Sequence, residues 1–140
     1  MRFRTQRIIA GVLAVSAADV GLWATFAPRS FVRSFPGFGR HWVAPLGPYD
    51  EHLARDVGGL YLAMLALSVW VAVRPSVEGL RMTGLAWLVF SVPHLVFHAG
   101  HLHGLGFGDQ LVELAALAGA VVAGLALVRT RARRASAPHD

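Results

Sequence analysis

Residues 77–100 read VEGLRMTGLAWLVFSVPHLVFHAG. Crossing roughly 30 Å of hydrocarbon takes about 20 mainly apolar residues, and this stretch has that length and character. It predicts a membrane-spanning helix. Near its far end stand His94 and His98, followed by His101. Spacings of four and three, at about 100° per residue, return the three side chains to within roughly 40° of one another. The three histidines are therefore expected on one stripe at one end of the helix.

Three further spans are read on either side of it. The first runs from about Arg7 to Ala27 and stops at Pro28; the second begins at Asp50, a helix N-cap after Gly47-Pro48, and ends at Val73 before Arg74-Pro75. The fourth starts at Asp109, a second expected N-cap after Gly104, Gly106 and Gly108, and runs to Val128. Composition agrees: 55% of the 140 residues are hydrophobic, 15% are charged and the mean hydropathy is +0.52. An all-α, integral membrane four-helix bundle is expected, as one domain over residues 1–128 with spans near 7–27, 50–73, 77–100 and 109–128 and a solvated basic tail over 129–140. A signal peptide competes for the first segment, since Arg2 and Arg4 make a basic leader and Val15-Ser16-Ala17 has a small-residue pattern. Apolar sequence continues to Ala27, which favours a retained span.

Cysteine is absent, so disulfides, thiolate metal sites and cysteine nucleophiles are excluded. The net charge of +5 rests on arginine alone, as there is no lysine. Most arginines flank spans, where membrane topology accounts for them better than nucleic acid does. With both termini inside, Arg2, Arg4, Arg7, Arg74, Arg81, Arg129, Arg131, Arg133 and Arg134 fall on the inner side and Arg29, Arg33 and Arg40 outside. This asymmetry predicts an N-in, C-in protein. The longest loop, Pro28 to Tyr49, carries Phe31, Phe35, Phe38 and Trp42 and is expected to lie on the outer membrane surface as a lid.

That topology gathers the polar residues at the outer end. Glu51 and His52 come at the surface, Arg55 and Asp56 one turn deeper and Glu113 one turn below Asp109, while Asp19 lies roughly 12 Å in from Ala27 at the helical rise. Ionisable groups inside a bilayer normally face the bundle interior and pair. A polar cavity built on Glu51, His52, Arg55, Asp56, His94, His98, His101 and Glu113 is expected, with Asp19, the deepest acid, satisfied by Arg55. Pro93 frees a carbonyl near Val89 and widens the helix below His94.

Several chemistries fit such a set. Two imidazoles at i, i+4 can share one ion, and a carboxylate from Glu51, Asp56 or Glu113 would complete a site for zinc, iron, manganese or copper, with His101 and His52 as further ligands. Haem between His52 and His94 or His98 is a lesser alternative. A metal-free acid–base pocket for a lipid or quinone-like molecule, or a non-enzymatic accessory or scaffold subunit with a membrane-protein or homo-oligomeric partner, competes with both. His103 reads as a loop residue, and His41 and His139 as solvated. No Walker loop, GxGxxG fingerprint or GxSxG elbow is present, so nucleotide, nucleic-acid and hydrolytic functions have no support. Gly58, Gly59, Gly119 and Gly124 read as close-packing positions, the span serines as back-bonded to carbonyls, and the tryptophans as belt or packing residues.

At Pro48-Tyr49-Asp50-Glu51-His52-Leu53-Ala54-Arg55-Asp56-Val57-Gly58, and again around Pro93-His94 to His98, the chain resembles a group of small, uncharacterised bacterial four-span membrane proteins that are loosely DoxX-like. Members of that group tend to carry Asn where this chain has Asp50; either residue caps a helix. The resemblance implies association with quinone-coupled or thiol-redox membrane complexes. It also implies a bacterial plasma membrane as the location, and it carries no catalytic residue onto this chain.

Overall fold

Helix ends fall where the chain supplies caps. In the computed structural model, which describes residues 3–131, Asp50 accepts a hydrogen bond from the Leu53 amide at 3.0 Å and Ser76 accepts one from Gly79 at 3.0 Å. These side chains satisfy amides that the first turn leaves without partners. Four long helices result: α1 (Arg4–Phe26), α3 (Glu51–Val73), α4 (Val77–Ala99) and α5 (Phe107–Val128), with the short α2 (Pro28–Ser34) between the first two. Each long helix is long and apolar enough to cross a membrane. Arg2, Arg133, Arg134 and His139 of the sequence reading lie outside the described residues.

Two boundaries differ from expectation. The last span opens two residues early, at Phe107 with Gly106 as its cap, because the Asp109 carboxylate is held elsewhere. Asp109 is therefore a first-turn residue. Helix α4 ends at Ala99, so His101 lies beyond the helix whose stripe it was expected to continue.

The bundle is two tight pairs that meet loosely. Helix α1 packs along α3 and α4 along α5, while α1 touches α5 and α3 touches α4 much more sparingly. Glycine explains the tight pairs. A Cβ on Gly58 would stand 2.6 Å from the Thr25 amide nitrogen, and one on Gly84 would stand 2.6 Å from the Gly124 carbonyl oxygen, so only glycine lets these backbones approach. Gly59 and Gly119 have no such neighbour and are not close-packing positions. Between the pairs, Trp87 reaches from α4 to α3, its indole N–H donating to Ser68 Oγ at 2.9 Å. Ser68 thus accepts from a tryptophan and is not simply back-bonded. Around this bond sit Leu13, Ala17, Tyr61, Met64, Val71, Leu80 and Leu127.

The two ends contrast. At one, Arg7 Nε donates to the Ala72 carbonyl at 2.8 Å and Arg81 Nε to the Thr130 carbonyl at 2.9 Å, so arginines cover carbonyls that the ends of α3 and α5 leave free. At the other, α2 is followed by a two-stranded hairpin, β1 (Pro36–Gly37) with β2 (Arg40–His41), and a 3-10 turn at Ala44–Leu46. This segment is the expected lid. Arg40 and Trp42 both bond Asp109 Oδ1, at 2.7 and 3.1 Å, and fasten it to α5. Its aromatic residues mostly turn inward, since Phe31 and Trp42 are buried and only Phe38 stands fully exposed.

Candidate functional site

The loose seam between the pairs encloses a cavity of about 640 Å³. Phe31, Phe35 and Trp42 roof it, Tyr61, Trp87 and Phe90 wall it, and Val20, Leu117 and Ala120 line its deeper part. Its ionisable side chains gather near the lid: Asp50, His94, His98 and Glu113. Among the lining residues, Ser16 and Ala116 are exposed on α1 and α5, and Leu53 and Phe97 on α3 and α4.

His98 and Glu113 form the centre of the polar end. Nδ1 of His98 lies 2.7 Å from Oε1 of Glu113, with the side chains only 10% and 5% exposed. The closeness is not matched by hydrogen-bond alignment, because His98 Nδ1, Glu113 Oε2 and Ser91 Oγ are all buried without an aligned partner. All three residues line the cavity. Burying a polar atom unsatisfied costs on the order of 1–3 kcal/mol, which applies to Glu113 Oε2 and Ser91 Oγ, whereas His98 Nδ1 has the Glu113 carboxylate beside it.

Aromatic stacking positions the histidines. His94 stacks on Phe90 at 5.0 Å between ring centroids and stands edge-on to His98 at 4.6 Å. Phe90 in turn meets Tyr61 edge to face at 5.0 Å. The i, i+4 spacing on α4 builds this column, and the glycine contact of α4 with α5 brings Glu113 to its end.

The expected eight-residue cavity divides into an interior and an exterior set. Only His94, His98 and Glu113 face the cavity. His101 is exposed, stacked on Phe97 at 4.1 Å with Nδ1 2.7 Å from the Phe97 carbonyl oxygen. On α3, Arg55 is spent on Glu51, at 2.9 and 3.0 Å, and on the Thr25 carbonyl, while His52 lies 3.3 Å from Asp56 on the exposed face. The expected Asp19–Arg55 pair is absent. Asp19 is exposed on the outward face of α1 and makes no ion pair among the described residues, because Glu51 sits one turn from Arg55 on the same helix and takes it. His103 is an exposed turn residue, and His41 is exposed with Nδ1 2.7 Å from the Arg33 carbonyl oxygen.

Missed in the sequence were Tyr61, Phe90 and Ser91. Ser91 sits three residues before His94 and Phe90 four before it, a spacing that places both on the histidine side of α4. Tyr61 offered no local signal.

Among the described residues no three of His, Cys, Asp and Glu come together as a group that could hold a metal ion. The class that fold and site define is a multi-pass membrane protein of four apolar helices around an internal cavity. No family model matches the chain, and neither a curated protein nor a solved structure matches it.

Proposed function

We propose that this protein binds an amphiphilic, lipid- or quinone-like molecule between its helix pairs, with the polar head at His94, His98 and Glu113 and the apolar body along Tyr61, Trp87, Phe90 and α5. One observation carries this reading: a buried His98–Glu113 pair, with Glu113 Oε2 and Ser91 Oγ lacking a hydrogen-bond partner, belongs to residues that line one cavity whose remaining walls are almost wholly apolar. Small-molecule sites have this make-up, an apolar chamber of about 300–1,000 Å³ with a few convergent polar groups. Beside Glu113, His98 can donate or accept a proton, so the site suits a head that exchanges one. The DoxX-like resemblance and its quinone association point the same way. We place both termini on the cytoplasmic side, with the cavity toward the outer face, on the arginine asymmetry.

The test is ligand retention. Protein purified in mild detergent is expected to release one equivalent of an amphiphile on solvent extraction, identified by mass spectrometry. Ala120→Phe, which fills the chamber away from the dyad, should abolish retention, and Glu113→Gln should weaken it. Equal retention by wild type and Ala120→Phe would sink the proposal. Elemental analysis of chelator-free protein separates the metal reading: zinc, iron, manganese or copper at one equivalent, lost in His94→Ala/His98→Ala, would assign the site to a metal instead. Side-specific reporters in the 28–49 loop and after Gly104 should both read the outer face.

A further inference from the structure

Residues 28–35 read PRSFVRSF, an Arg-Ser-Phe triplet repeated at a spacing of four. On α2 that spacing sorts the triplets by side. Phe31 and Phe35 turn to the cavity roof. Arg29, Ser30, Arg33 and Ser34 turn the other way and, with Tyr49 and Arg55, line a separate open cleft of about 560 Å³.

The cleft's charge is unbalanced. Three guanidiniums, of Arg29, Arg33 and Arg55, share it with one carboxylate, Glu51, and Arg55 already holds that carboxylate. Arg29 and Arg33 make no ion pair among the described residues. The Arg29 guanidinium lies 5.1 Å over the Tyr49 ring, which fixes it without neutralising it. Ser30 Oγ accepts from the Trp23 indole N–H at 3.2 Å, leaving its own O–H free to donate. Because α2 starts two residues after the spanning helix α1 ends, the cleft lies at headgroup level.

We propose that this cleft binds a phosphate group, Arg29 and Arg33 supplying paired guanidinium forks and Ser30 a hydroxyl donor. Arginine forks match phosphate oxygens two at a time, and the location favours the headgroup of an anionic phospholipid over free phosphate. The inference stands apart from the cavity reading, since the two sites lie on opposite sides of α2.

Native mass spectrometry of the full chain, titrated with short-chain phosphatidylglycerol, phosphatidylcholine and inorganic phosphate in turn, tests it. Phosphatidylglycerol should bind most tightly, and Arg29→Gln/Arg33→Gln should weaken it by about tenfold or more. Arg29→Lys/Arg33→Lys, which keeps the charge and loses the forks, should fall between. Arg74→Gln, at the opposite end, should change nothing. Binding of inorganic phosphate with the same arginine dependence would keep the site and reassign its source. Unchanged binding in the glutamine double variant, or an equal loss in Arg74→Gln, would overturn the proposal.

Discussion

Two histidine–carboxylate pairs occupy the same end of this protein and have little else in common. His52 and Asp56 lie one turn apart on α3, 3.3 Å apart and 88% and 62% exposed. His98 and Glu113 come from different helices, 2.7 Å apart and nearly fully buried. The first pair has water or headgroups as an alternative for every polar atom and is worth a few tenths of a kcal/mol by the usual measure of exposed i, i+4 pairs. The second has no alternative inside the protein. Burial, not the chemistry of the pair, sets which one the fold depends on.

Glu113→Ala should show this difference at its largest. Leaving one partner of a buried pair alone costs about 3–5 kcal/mol, read as a fall in the unfolding midpoint in detergent. His98→Leu combined with Glu113→Leu should recover much of the loss; a double variant as unstable as the sum of the singles would show the two side chains to be uncoupled. Next in size is Gly84→Val, where a side chain driven into the Gly124 backbone should cost about 1–3 kcal/mol by overpacking and part α4 from α5. Gly59→Val is the matched control on open surface and should be nearly silent. Asp109→Ala removes the clip that holds the lid through Arg40 and Trp42. With its side chains 41% and 30% exposed, the ion pair contributes about 1 kcal/mol or less, so hydrogen exchange over residues 36–46 should quicken while the global midpoint barely moves. Smallest of all, His52→Ala should shift stability by no more than about 0.5 kcal/mol, and a larger loss would mean that the exposed face of α3 is covered by another molecule.

Much of the fold was legible because it rests on length, hydropathy and caps, which are local. The four spans fall within three residues of their expected limits at every end, and Asp50 caps as its position implied. Position along each helix was legible too, since it follows from counting residues. Facing was not. How each helix turns about its own axis depends on which partner it meets; Gly58 and Gly124 read as close-packing positions, but the chain gives no local record that Gly58 meets α1 or that Gly124 meets Gly84 on α4. Hence Asp19 and Arg55, both assigned to the interior, face outward. Hence also His94, His98 and Glu113, which line one cavity, were grouped with five residues that do not line it. Where a polar side chain had a partner one turn away, as Arg55 has in Glu51, the nearby partner prevailed over the distant one.

The connection 100–106 between α4 and α5 bears on how the bundle enters its membrane. A carboxylate in a lone helix at mid-bilayer costs about 2.5–3.5 kcal/mol on insertion scales. Because His98 and Glu113 stand on either side of one seven-residue connection, the hairpin can bring them together as it inserts, so Glu113 need never meet lipid alone. Asp19 has no such companion in its own hairpin. The cost of carrying it into the bilayer is then left to the apolar residues of α1 to offset, a helix long and apolar enough to cross.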